Sequence, residues 1–315
     1  MNICDERPLE YALWNHDPPI PAYRVVFGED TLACTSLTAS RELLYQPPSR
    51  SPPIEVSVVY LRAGYDPEEY GAIGYEARLL LERSRAVKCP SVLAHLATFK
   101  KVQQALTAPD VLTRFLDPPE AARIEKTFAP MYPLDESSET GRRGRALACN
   151  PRTAVNHVLK PSLEGGVHNV YHGNIPGFLE SVPMSRWHTY ILMELINPVI
   201  QKNILLSPRG MYTADYSDNA IMTHSLATRQ NPHTTESADR FPGPTVSELG
   251  IFGVCLWKSK TQGNPEILKN TEAGWSLKTK PEVVDEMSVV KGYGSFDCPY
   301  LVDEETYLAN GEEVT

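Results

Sequence analysis

Residues 158–171, VLKPSLEGGVHNVY, place one fixed cation (Lys160), one carboxylate (Glu164) and a glycine pair (Gly165, Gly166) in a single short stretch. Glycines lack a Cβ, so their backbone amides can close on an anion. A lysine at the end of an apolar run adds a fixed positive charge beside them. A carboxylate nearby suits magnesium, which takes one or two protein carboxylates together with phosphate oxygens. Cation, carboxylate and glycines therefore point to a nucleoside triphosphate. A surface turn with Lys160 and Glu164 in solvent is the alternative reading of the same residues.

The elements that must position this stretch are read from periodicity. YRVVFG (23–28) and IEVSVVYL (54–61) are β-branched runs expected as strands, separated by a Pro/Ser-rich connection. Residues 75–89 and 91–106 each carry the pattern of a helix, the second with Val92, Leu96, Phe99 and Val102 on one face. EAARIEKTFAPMY (120–132) is expected as a third helix, and the polar run 134–151 as a loop or linker. VNHVLKP (155–161), YILMELI (190–196) and SELGIFGVCLW (247–257) are expected as strands. The polar, aperiodic run 207–244 is expected to be a long disordered insertion. The fold class expected is mixed α/β.

At 315 residues, with 42% hydrophobic and 22% charged residues, the chain has room for two ordinary domains. A formal net charge of −9 argues against a broad nucleic-acid surface, though not against a local cationic pocket. The six cysteines are scattered without CxxC or zinc-ligand spacing, which points to reduced thiols and a cytoplasmic setting. The N-terminus MNICDERPLEYALW carries acidic residues where a signal peptide would be apolar, and no run approaches the ~20 apolar residues of a membrane span.

In order along the chain, VVYLRAGY, YEARLLLERSRAVKCPS, FKKVQQAL, VLKPSLEGG with the following HN and Tyr171, YILMELI and SELGIFG resemble eukaryotic glutathione synthetase, the fungal form in particular. The resemblance runs from Asn2 to about Asp297, with 207–244 unmatched. It implies an ATP-grasp fold with a small Rossmann-like substrate-binding domain, incomplete at the N-terminus. The implied division is a substrate-binding domain at 1–100 and a nucleotide-binding region at 101–315. The implied reaction joins γ-glutamylcysteine to glycine with ATP and magnesium, in the cytoplasm, usually by a homodimer. NICDER matches an internal family motif, so the chain is expected to be the C-terminal portion, without the family's other two magnesium ligands. A truncated, inactive nucleotide-binding remnant or incomplete gene product is the alternative.

Residue roles follow from the same resemblance. Lys100 and Lys160 match the lysines on the ATP phosphates, Glu164 the third magnesium ligand, and Gly165 and Gly166 the glycine-rich loop, whose third glycine is Val167 here. Asn169 and Tyr171 keep the family's identities. Met193 and Glu194 match the stretch whose backbone holds adenine, while Glu248 and Lys280 match further ATP contacts. Asn2, Glu6, Arg62 and Tyr65 match contacts to the peptide substrate, with Glu6 standing where a glutamine is usual. Lys278 replaces the arginine that grips the substrate carboxylate, and is the residue expected to carry catalytic weight. It keeps the charge and loses the bidentate fork. Val289 and Val290 occupy the substrate-contacting positions of the lid.

Overall fold

Proline, glycine and side-chain caps cut this chain into short elements, and most of the departures from sequence expectation arise at those cuts. The computed structural model describes residues 3–49, 52–162, 168–207, 239–260, 263, 265–289 and 294–299. It divides into two units, Met1–Leu195 and Ile196–Thr315.

The first unit begins with α1 (Ile3–Trp14) and α2 (Glu29–Cys34). YRVVFG between them is not a strand: no described strand pairs with it, and Val25 and Val26 are exposed. β-branched content favours a strand only where a neighbouring strand or core receives it. Strands β1 (Thr35–Leu37), β2 (Leu43–Tyr45) and β3 (Ile54–Glu55) form a small antiparallel sheet. The expected strand 54–61 is therefore divided, because its second half is β4 (Val58–Tyr60) in another sheet. β4, α3 (Gly71–Arg83) and β5 (Val87–Cys89) make one βαβ unit with a parallel pair. Leu43, Leu61, Leu81 and Ala86 form the core beneath it.

The helix expected over 75–89 stops at Arg83, where Ser84 turns extended. Pro90 then holds Cys89 out of helical geometry, and Val87–Cys89 joins the sheet. The helix expected over 91–106 is two helices, α4 (Val92–Ala97) and α5 (Lys100–Leu106). Ser91 caps α4 by accepting the Ala94 N–H. The Thr98 hydroxyl donates to the His95 carbonyl, and Phe99 is extended, so the run is broken between Ala97 and Lys100. Residues 120–132 are likewise divided. α6 (Pro118–Glu125) ends early, and Met131–Pro133, after Pro130, is strand β6.

The run 134–151, expected as a loop, contains α7 (Glu139–Cys149). Its start is fixed by Asp135 and Ser138: Ser138 accepts the Gly141 N–H at 2.9 Å, and Asp135 accepts the Ser138 N–H at 2.7 Å. Buried Gly141 and Gly144 are the helix's inner face. A Cβ at Gly144 would lie under 3.0 Å from the Pro133 carbonyl, so α7 sits against β6 at backbone contact. Then follow α8 (Pro151–Ala154), β7 (His157–Pro161), β8 (Val170–Tyr171), α9 (Asn174–Ser181) and β9 (Tyr190–Glu194). The four strands form an antiparallel sheet in the order β6-β9-β7-β8. Leu134, Ala148, Ala154, Leu159, Ile175, Leu179, Trp187 and Leu192 pack as the core between that sheet and its helices.

The second unit is an antiparallel sheet of β10 (Gln201–Ser207), β11 (Asp239–Lys258), β12 (Glu266–Pro281) and β13 (Ser295–Asp297), in that order. Residues 208–238 of the expected insertion lie outside the described residues. Residues 239–244 are a correction: they are strand, paired with β10 in register from Ser207↔Asp239 to Gln201↔Thr245. Asp297 ties the sheet together, accepting from Thr279 at 2.6 Å and Asn203 at 2.8 Å. Among the described residues no helix is long and apolar enough to cross a membrane.

Asp135 carries a pH prediction. Hydrogen bonds from the Ser138 backbone and the Ser137 hydroxyl hold its pKa at about 2, below the ordinary 3.8. A depressed carboxylate stabilises the fold above its unfolded pKa, and that contribution is lost as pH falls from about 4 through 2. Asp135→Asn is expected to cost on the order of 1 kcal/mol at neutral pH. The variant is also expected to lose less stability than the parent between pH 5 and pH 2.5, measured by urea unfolding. Parallel losses in the two proteins would remove Asp135 from the acid response.

Candidate functional site

In an antiparallel pair, directly opposed residues place their side chains on the same face. Tyr171 and Met193 both oppose Val158, one from each side, and Lys160, two residues on, opposes Ile191. Lys160, Tyr171 and Met193 therefore share one face of the β6-β9-β7-β8 sheet. Leu159, Leu192, His157 and Glu194 lie on the other face, where the core sits. All three residues of the first face are half-buried. Lys100 opens α5, which packs against β6 and β9, so it comes to the same sheet. Asn169 precedes β8 and donates toward the Tyr171 hydroxyl at 3.4 Å.

Glu194 is placed differently from its neighbour Met193. Its carboxylate accepts the Tyr132 hydroxyl at 2.7 Å, and its N–H donates to the Pro130 carbonyl at 3.0 Å. Burial and the Glu194 carboxylate both push the Tyr132 phenol pKa upward. The side chain is thus fixed within the protein, leaving the backbone at the end of β9 for any ligand on the first face.

In the second unit, Glu248 on β11 opposes Lys278 on β12, and their side chains form an ion pair at 3.6 Å. Lys280 opposes Val246 on the same face, and its ammonium donates to the Val284 carbonyl. Burial lowers the Lys280 pKa, against an opposing effect of Asp285, Glu248 and Glu282. Glu248, Lys278 and Lys280, expected from the sequence as separate contacts, are therefore one charged group on one sheet face. Val289 is half-buried beyond the end of β12.

Glu6, Arg62 and Tyr65, also expected to meet the peptide, lie elsewhere in the first unit. Glu6 is paired with Arg24 at 2.9 Å, which neutralises the carboxylate that stands where a glutamine is usual. Arg62 is exposed in the bend after β4. The Tyr65 hydroxyl donates to the Leu61 carbonyl at 3.0 Å, and its N–H donates to Glu69 at 2.7 Å. Burial raises the Tyr65 pKa, while the Arg62 charge acts in the opposite direction. Asn2, Glu164, Gly165, Gly166 and Val290 lie outside the described residues.

Two residues in this framework had no sequence signal. His95, buried on α4, meets the Tyr65 ring at 5.8 Å and the Phe99 ring at 6.0 Å between centroids. It joins the Arg62–Tyr65 loop to the start of α5. Lys101, beside Lys100, has its pKa lowered by burial, with Asp135 opposing that shift. A lone histidine and the second of two adjacent lysines look like ordinary helix residues until the break at Thr98–Phe99 is seen.

Comparison with known proteins gives a family and several relatives. Residues 30–301 match the family described as eukaryotic glutathione synthase, ATP binding domain. The chain is 36% identical over 295 residues to the glutathione synthetase large chain of Schizosaccharomyces pombe, covering 93% of this chain and 51% of that protein. It is 35% identical over 305 residues to the Homo sapiens glutathione synthetase, covering 96% of this chain and 55% of that protein. The chain thus spans about half the length of the curated relatives it matches. Among solved structures, a glutathione synthetase-like effector (GSS30) from Globodera pallida in its apo form superposes with a TM-score of 0.59 at 16% identity. That likeness covers 96% of this chain and 54% of the effector, and shows the shared fold.

Proposed function

This chain belongs to the eukaryotic glutathione synthase family, and on that premise we propose that it is the nucleotide-binding portion of an ATP-dependent ligase joining γ-glutamylcysteine to glycine. The observation that carries the reading is the shared sheet face of Lys160, Tyr171 and Met193, with Lys100 opening α5, which packs against the same sheet. Residues 101–315 hold the nucleotide in this reading, and residues 1–100 meet the peptide through Arg62 and Tyr65. The complete enzyme acts in the cytoplasm as a homodimer.

In the proposed reaction the terminal phosphoryl group of ATP passes to the peptide carboxylate, and ADP leaves. The glycine amine then attacks the acyl phosphate, forming the amide and releasing phosphate. Such chemistry needs positioning and charge neutralisation rather than a covalent enzyme nucleophile. Lys100 and Lys160 supply fixed positive charge for the phosphates. Glu164, which lies outside the described residues, would help hold magnesium, which would neutralise phosphate charge. Among the described residues no group of three or more His, Cys, Asp or Glu gathers to hold a metal.

The Lys278–Glu248 ion pair favours a second reading, nucleotide binding without turnover, because it engages the ammonium expected to receive the peptide carboxylate. ADP release by the purified chain, with γ-glutamylcysteine and glycine added together and each omitted, tests whether this portion suffices for turnover. The chain by itself is expected to give no glycine-dependent ADP, since a small misplacement of reactants costs on the order of 10²-fold in rate. Robust release requiring both substrates would show that residues 1–315 suffice for the whole reaction, against the assignment of a portion.

A further inference from the structure

One buried histidine of the first unit lies between two aromatic rings. His95 is 9% exposed, and among the described residues its Nε2 is buried without a hydrogen-bond partner. An unpaired polar atom in the interior is costly, and it gives the ring no anchor, so packing must hold the imidazole. The Tyr65 ring meets it with centroids 5.8 Å apart and planes at 86°. The Phe99 ring meets it at 6.0 Å and 71°. Both contacts have the T-shaped geometry that aromatic pairs favour. Tyr65 belongs to the loop after β4 and is itself tied down, its hydroxyl donating to the Leu61 carbonyl and its N–H to Glu69. Phe99 is the extended residue ahead of α5, and Lys100 is the first residue of that helix. The break ahead of Phe99 also starts from His95, whose carbonyl accepts the Thr98 hydroxyl at 2.6 Å and the Thr98 N–H at 3.1 Å.

We propose that His95 is a positioning residue of the ligase site: its flat ring, between Tyr65 and Phe99, fixes the Arg62–Tyr65 loop relative to Lys100. This rests on the nucleotide reading above and deepens it, naming what keeps the peptide side and the phosphate side at one separation. In that reading the peptide carboxylate must meet the terminal phosphate, where an error of about 1 Å can cost on the order of 10²-fold in rate. Being buried, His95 reaches neither ligand itself. It acts through Lys100 on one side and through Tyr65 on the other. An aliphatic side chain would fill the same space, but it offers no ring edge or face to fix the angle between the two neighbours.

Titrations of the 315-residue chain with magnesium-ATP, paired with urea unfolding, test this. His95→Leu keeps an apolar side chain of similar size and removes the unpaired nitrogen, so stability is expected to hold or rise. ATP affinity is nonetheless expected to fall about 5- to 10-fold, part of the worth of a charge-assisted contact from Lys100. His95→Phe restores a ring and is expected to return the affinity to within about twofold of the parent. Tyr65→Leu removes the ring on the far side of His95 and is expected to weaken ATP binding by about 3- to 10-fold. Because the effect runs through Lys100, His95→Leu is expected to change nothing further in a Lys100→Met background. Unchanged ATP affinity in His95→Leu or Tyr65→Leu would overturn the assignment, as would an undiminished loss in the Lys100→Met background. Failure of His95→Phe to restore the affinity would overturn the role of the ring. Affinity and stability falling together in both His95 variants would make the residue ordinary core, against the proposal. Absence of magnesium-ATP binding to the parent would instead defeat the nucleotide reading itself, and the proposal with it.

Discussion

Replacing Lys160 with methionine is expected to weaken magnesium-ATP binding by about 10- to 100-fold, the worth of a charge-assisted contact to phosphate. The side chain lies on the face shared by Tyr171 and Met193, while the core beneath β7 is supplied by its neighbour Leu159. Methionine matches the apolar stem of lysine and removes only the charge, so the fold is expected to remain. Lys160→Arg keeps the charge and is expected to retain most of the affinity. Calorimetry gives the affinities, and far-UV circular dichroism with thermal melting checks the fold. If Lys160→Met bound magnesium-ATP as tightly as the parent, the phosphate would have to be placed elsewhere.

The second large effect concerns the helix behind that sheet. Gly144→Val is expected to destabilise the first unit by about 2–4 kcal/mol, because α7 touches β6 through this residue's backbone. An added Cβ would meet the Pro133 carbonyl under 3.0 Å and the Tyr132 Cβ at 2.9 Å. Neither neighbour is the flexible end of a side chain, so the helix must move away from the sheet. Gly177 in α9 is the matched control, since nothing lies within 4 Å of a Cβ added there. Gly177→Ala is expected to be neutral or to stabilise by up to ~1 kcal/mol, through helix propensity. Urea unfolding midpoints compare the two. Equal, small effects would mean that α7 and β6 are not held at backbone contact.

These glycines show how far the fold could be read from the residues. Strands such as VNHVLKP and YILMELI were legible because they are buried apolar runs. The region 134–151 was not, since Gly141 and Gly144 read as loop residues when no packing partner is in view. The helix breaks at Thr98–Phe99 and after Arg83 depend on a hydroxyl bonding to the backbone and on a parallel partner strand, neither of which periodicity reports. At YRVVFG the opposite error occurred: β-branched residues were present and no strand received them.

The candidate site divides in the same way. Residue types at Lys100, Lys160, Met193, Glu248, Lys278 and Lys280 could be matched motif by motif. Their faces could not, because a face is fixed by register. Only the pairing of β7 with β8 and β9 puts Lys160, Tyr171 and Met193 together and turns Glu194 away toward Tyr132. Only the β11–β12 register joins Glu248 to Lys278.

A calorimetric titration of the 315-residue chain with ATP, in the presence and absence of magnesium, bears most directly on the nucleotide assignment. One saturable site is expected, weak, dependent on magnesium and lost in Lys160→Met. No saturable binding, or binding indifferent to both the ion and Lys160, would contradict the assignment of this sheet face to ATP.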